Sequence, residues 1–158
     1  MHKTKVVWTF DTSTTHHITA DYSCLQDPTL DTTSIKVGGG RVPHATYKGT
    51  VRLVVEGTGI LFSLSDVLFI PGWSETSLIS WRKIAPKCRM TGEDDWISVS
   101  LKNENPLFSA RSIGPNLYEL PVRVNNAVIG TNATNAVIGT NAVNANDVNA
   151  TALSSAWS

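Results

Sequence analysis

The sequence has no net charge, few cysteines and no long apolar run, and each lack excludes something. Lys+Arg and Asp+Glu are equal at 13 each, so the formal net charge is zero. That balance argues against nucleic-acid binding driven by a generally basic surface, leaving room only for a small local patch. There are two cysteines, Cys24 and Cys88. Neither falls in a CxxC and no His–Cys spacing suits zinc, so no metal or cofactor is expected. Both are expected as free thiols in a reducing, intracellular compartment. No apolar stretch approaches the roughly 18 residues of a membrane span. Met1-His2-Lys3-Thr4-Lys5 leads no apolar run of the kind a secretory signal needs.

Apolar residues still make up 41% of the 158, enough for the core of one domain plus a tail. The chain is organised around Val6-Val7-Trp8-Thr9-Phe10, followed by Asp11-Thr12-Ser13-Thr14-Thr15-His16-His17. The first five residues are β-branched or aromatic and favour a strand. That strand delivers a carboxylate into a run of hydroxyls, which can satisfy it by hydrogen bonding. On these residues alone, the plainer reading is a strand ending in a polar turn, with Asp11 bonding its own backbone.

Residues 20–33 are polar and mixed, and read as a loop with one short helical turn near residues 22–25. Ser34-Ile35-Lys36-Val37 reads as a short strand entering Gly38-Gly39-Gly40, the tip of a mobile hairpin. Residues 47–56 alternate and form the clearest strand. Two apolar runs follow, residues 60–64 and 67–70, separated by Ser65-Asp66. Residues 77–85 are the one good helix candidate, capped by Ser77 and stopped by Pro86. Residues 88–101 read as a hairpin, and residues 107–113 and 117–122 as two more strands about Gly114-Pro115. Short strands at this spacing with Gly/Pro turns indicate an all-β closed barrel or sandwich. Trp73 and Trp96 are expected to pack in the core or against turns; exposed, either would offer a ligand platform.

The tail differs in kind. Asn126-Ala127-Val128-Ile129-Gly130-Thr131-Asn132-Ala133 recurs as residues 135–142, a period of nine. Two copies and a degenerate third are too few for a repeat domain. Residues 1–123 are therefore read as one β domain and residues 124–158 as a disordered, low-complexity Asn/Ala/Thr-rich linker. Asn132-Ala133-Thr134 and Asn149-Ala150-Thr151 match the glycosylation acceptor, but chance explains them better without a secretory signal.

Four stretches, collinear between residues 6 and 122, resemble a known family. Trp8-Thr9-Phe10-Asp11-Thr12-Ser13-Thr14-Thr15-His16-His17-Ile18-Thr19 is similar to the protease entry W-x-x-D-[ST]-G-A-[ST]-x-H-[MI]-[TC] of Copia/TNT-type retrotransposon Pol polyproteins. Leu64-Ser65-Asp66-Val67-Leu68-Phe69-Ile70-Pro71-Gly72 resembles the family's L-x-D-V-L-[YF]-V-P-G. Ser77-Leu78-Ile79-Ser80 stands where it has N-L-[LI]-S, and Leu117-Tyr118-Glu119-Leu120 resembles its L-Y-x-L. The resemblance implies a small closed retropepsin-like β-barrel with one short helix. It also implies an aspartic-type endopeptidase that processes its own Gag-Pol polyprotein inside retrotransposon particles. Asp11 falls on the catalytic aspartate, Thr12 on the hydroxyl that braces the paired loops, and Gly38, Gly39 and Gly40 near the flap. Thr12, Ser13 and Thr14 would support the active-site loop.

Such a protease uses two carboxylates sharing one proton across a water. At ~3 Å and an effective dielectric of ~20, two negative charges repel by roughly 5 kcal/mol, so both cannot be ionised. Asp31-Thr32-Thr33-Ser34 echoes the motif without an apolar strand before it. The second carboxylate is thus expected from another copy, making a homodimer through the Asp11 loop. Its partners would be itself and peptide segments of its polyprotein, with no nucleic acid bound directly and no membrane. Ser13 and Thr14 depart from the family's Gly-Ala. A Cβ at a left-handed position costs about 1–2 kcal/mol, so activity is expected to suffer. Two alternatives stand beside the enzyme: a catalytically silent structural barrel of the same polyprotein, and a small β-barrel binding module.

Overall fold

The computed structural model describes residues 7–74, 76–93 and 95–125, together with the backbone of Ala136–Ile138. The strands are β1 (Val7–Asp11), β2 (Ile18–Thr19), β3 (Gln26–Leu30), β4 (Tyr47–Val55), β5 (Leu61–Phe69) and β6 (Thr76–Ser80). A single helical turn, α1 (Trp81–Ile84), follows β6. Then come β7 (Cys88–Glu93), β8 (Trp96–Leu101), β9 (Pro106–Gly114), β10 (Leu117–Leu120), β11 (Val122–Val124) and β12 (Ala136–Ile138). The all-β expectation holds among the described residues.

The ladder runs β11-β4-β5-β2-β6-β1-β10-β9-β8-β7, with β3 on β4 and β12 on β5. A barrel closed by hydrogen bonds was expected, but β11 and β7 end the ladder and do not pair with each other. Continuity comes instead from the chain. Proline has no N–H to donate, and at Pro121 the chain leaves β1, the partner of β10, and joins β4 as β11. The single strand expected over residues 117–122 is split there. The sheet curls over one main core that takes Trp8 and Phe10 from β1, Leu53 from β4, Phe62 and Leu64 from β5, and Leu107 and Phe108 from β9. Phe10 packs edge-on against Phe108 and Trp81, at 5.3 and 6.1 Å between ring centroids. Each such large side chain contributes about 1.5–3 kcal/mol by leaving water.

A second, smaller core sits on the outer face. Residues 34–44 fold back as an arm joined by a bridge between Ser34 and His44 and by bonds from Ile35 N to Pro43 O and Val37 N to Arg41 O. Ile35 and Ala45 pack there against Ile18, Leu68 and Ile70, with Val37, Trp73 and Leu78 alongside. The hairpin expected around the glycines is present, but as an arm with one isolated bridge and no regular strand.

Three local departures have physical causes. The expected loop over residues 20–33 keeps its helical turn, Tyr22–Cys24, but also holds β3. That strand is mostly exposed and interrupted by Asp27-Pro28, so no hydrophobic pattern marks it; it exists by pairing with β4 across an irregular register. Gly49 is required opposite it, since a Cβ there would sit 2.9 Å from Gln26 O. The two apolar runs about Ser65-Asp66 are one strand, β5. Asp66 adopts φ 54° where the register shifts between Gly49 and Val51, making a bulge rather than a break. The helix expected over residues 77–85 forms only in its second half: residues 77–80 are strand and pair in parallel with β1, from Trp8↔Ser77 to Asp11↔Ser80. Ser80, not Ser77, caps α1, accepting a bond from Lys83 N at 3.2 Å. Of the low-complexity tail, Val124 ends β11, Asn125 N bonds Arg52 O and Ala136–Ile138 forms a strand parallel to β5; the rest lies outside the described residues.

Candidate functional site

Strand alternation sends Trp8 and Phe10 into the core, so Thr9 and Asp11 face the other way. Asp11 ends β1 between Ser80 of β6 and Leu117 of β10. Together with Thr9, Val37, Gly38, Arg41, Trp73 and Leu78 it lines a cleft of about 510 Å³. The structure thus brings together two of the residues singled out from the sequence, Asp11 and Gly38. Gly39 and Gly40 form the arm's tip, at φ 80° and 76°, and do not line the cleft. Asp11 is the one carboxylate among the described lining residues and is only 7% exposed.

Asp11 Oδ1 accepts from Ser13 N at 2.8 Å and Ser13 Oγ at 2.7 Å. The same pattern recurs at Asp21 with Ser23 and at Asp31 with Thr33. It is therefore a local Asx turn that this chain uses repeatedly, as the plainer reading of the sequence anticipated. Asp31 follows β3, a polar and mostly exposed strand rather than an apolar one, lies away from the cleft and faces Lys48 at 3.8 Å. The Thr33 hydroxyl and amide, more than the lysine, hold its carboxyl below the usual range. Ser13 carries no backbone strain, because it is not among the described residues with left-handed φ. The penalty expected for a Cβ at that position does not arise. What Ser13 adds is chemical, a hydroxyl on the carboxylate.

Behind Asp11 the loop is pinned at three points. Thr12 N donates to Asn116 O at 3.0 Å, and Thr12 Oγ1 to Asn116 Oδ1 at 3.1 Å. Thr12 thus braces the β9–β10 turn of its own chain. Ser80 Oγ donates to Thr14 O at 2.7 Å, and Ser80 N donates to His17 Nδ1 at 2.9 Å. His17 is fully buried, and burial first, then the charges of Lys83 and His16, push its pKa down to about 3. With Nδ1 accepting, the proton of the neutral ring belongs on Nε2, a buried atom without a partner among the described residues. Ser80 and Asn116 escaped the sequence reading as site residues. Ser80 ends a stretch that read equally well as helix, and Asn116 stands out only by φ 62° in a turn.

The chain matches the family described as Pol polyprotein, beta-barrel domain, over residues 8–89. It belongs to that family. No curated protein and no solved structure matches it. The matched span of this Pol β-barrel domain includes β1, the Asp11 loop, the glycine arm, β4, β5, β6 and α1, which together hold most of the cleft.

The two cysteines are free and buried, and burial raises the Cys24 thiol to about 11 and that of Cys88 to about 12. At neutral pH both are protonated and poor nucleophiles. No group of three or more potential metal ligands occurs among the described residues. Trp73 packs beside the small core and lines the Asp11 cleft. Trp96, expected to be packed, is 52% exposed and borders a separate cleft of about 630 Å³ with Ile60, Leu107, Phe108 and Pro121.

Proposed function

We propose that this Pol β-barrel domain is an aspartic-type endopeptidase of retropepsin-like design from a Copia-type element, cutting peptide segments of its own polyprotein inside the cell. One observation carries the reading: a single carboxylate among the described lining residues, Asp11, set on a strand end in a cleft bordered by a glycine-tipped arm. One acid cannot share a proton with itself, so the active species is a homodimer in which Asp11 of each copy faces the other. The base of the pair takes a proton from water, and the acid donates one to the peptide carbonyl oxygen.

The test is cleavage of a polyprotein segment by the native chain mixed with its Asp11→Asn variant. If each site needs two aspartates, an equal mixture keeps about one quarter of the activity rather than one half. Loss in strict proportion to dose would sink the shared site. The silent-barrel reading keeps one observation on its side, the Ser13 hydroxyl held on Asp11 Oδ1. Cleavage seen only after Ser13→Gly would assign that reading to the native chain.

A further inference from the structure

The edge of β5 is only partly used by the barrel. On the side away from β4, β2 covers Leu68 and Phe69 alone. The stretch nearer the start of β5 is taken by β12, in parallel, with Ala136↔Phe62, Val137↔Ser63 and Ile138↔Leu64. The strand that fills it belongs to the second of two identical octapeptides, Asn-Ala-Val-Ile-Gly-Thr-Asn-Ala, at residues 126–133 and 135–142. Backbone pairing reads conformation and side-chain size, so an edge that accepts one copy accepts the other.

Reach separates the two copies within one chain. Asn125 N still bonds Arg52 O, so the chain is held on the far side of β4 at residue 125. From there to the slot is three strand spacings, about 14 Å along the sheet. Ala127, two residues on, reaches only about 7 Å, short of the slot even where the sheet curls. Ala136 has ample chain. The second repeat can therefore serve its own barrel, and the first cannot.

We propose that the β5 edge at Phe62, Ser63 and Leu64 is an acceptor site for an extended Ala-Val-Ile strand, and that its ligand in trans is the first repeat of a second copy of this chain. The tethered second repeat fills the slot at an effective concentration in the millimolar range, so exchange follows when copies are crowded or the tether strand is lost.

The probe is a labelled peptide of sequence Asn-Ala-Val-Ile-Gly-Thr-Asn-Ala, titrated by fluorescence anisotropy into the full chain and into the Val137→Pro, Ile138→Pro double variant. Prolines remove the donors and the freedom that pairing needs, and near-ultraviolet circular dichroism reports whether the main core survives them. The variant should bind at least tenfold more tightly than the native chain, since its own strand no longer competes. Equal binding by both overturns the proposal, as does equal binding of a scrambled octapeptide, which would mean that any extended strand serves. Adding Val128→Pro and Ile129→Pro to the double variant should weaken its self-association at least tenfold. Unchanged association overturns the trans assignment.

Discussion

The two walls of the Asp11 cleft are built in opposite ways. One is the β1 strand end, paired on both sides, its following loop tied through Thr12, Thr14 and His17 to two other parts of the chain, at Asn116 and Ser80. The other is the arm of residues 34–44, held at its base by Ile35 and Ala45 and crossed by few backbone bonds before its glycine tip. A group that does chemistry gains from fixed placement, whereas a segment that admits a peptide must open, and low local stability permits that. The rigid wall carries the carboxylate and the loose wall carries the glycines, which is the division a peptide-cutting site needs.

The largest effect should come from breaking the rigid wall's one acid. Asp11→Asn preserves size and can still accept from Ser13, so the fold should persist with little change in denaturation midpoint. Peptide cleavage should fall by about 10²–10⁴-fold, the usual scale for removing acid–base chemistry. Equal cleavage by native chain and variant would remove Asp11 from the mechanism.

Next in size are the ties behind Asp11. Ser80→Ala deletes both the donor to Thr14 O and the cap on Lys83 N. It should cost about 1–3 kcal/mol in urea unfolding, and should lower cleavage more than stability loss alone explains. His17 sharpens this with pH. A base whose pKa falls on folding stays neutral in the fold, while the unfolded chain takes up a proton below about 6.5. Its contribution is therefore complete above about pH 6.5 and is lost as pH drops from there towards about 3. Urea midpoints should fall steeply across that window in the native chain and less steeply in His17→Gln. An identical pH dependence in both would show that the buried imidazole is not the source.

The two walls were also unequally legible in the sequence. β1 and Asp11 were readable because an apolar, β-branched run ending in an acid has few competing interpretations. Residues 77–80 were not, since Ser-Leu-Ile-Ser suits a helix start or a strand, and only parallel pairing to β1, some seventy residues away, decides. Asp66 misled in the same manner: a polar residue between apolar runs marks a turn unless its left-handed backbone makes a bulge. β3 gave no signal because strands exposed on both faces carry no hydrophobic alternation. The course of the sheet depends on where Pro121 hands the chain from β1 to β4, a choice made by partners distant in sequence.

The smallest expected effect tests the loose wall against itself. Gly38 and Gly39 are neighbours, and an added Cβ would meet nothing within 4 Å at either. They differ in backbone alone: Gly39 sits at φ 80° and Gly38 does not take a left-handed conformation. Gly38→Ala should therefore leave the arm's conformation as it is. Gly39→Ala should strain the tip by about 1–2 kcal/mol, a cost the arm can shed by shifting without unfolding the barrel. Urea midpoints should then barely differ between the two variants, while hydrogen exchange of the Val37 amide, which bonds Arg41 O across the tip, should quicken only in Gly39→Ala. If both variants lowered the midpoint alike, the arm would be part of the cooperative fold, and the contrast between a fixed and a yielding wall would fail.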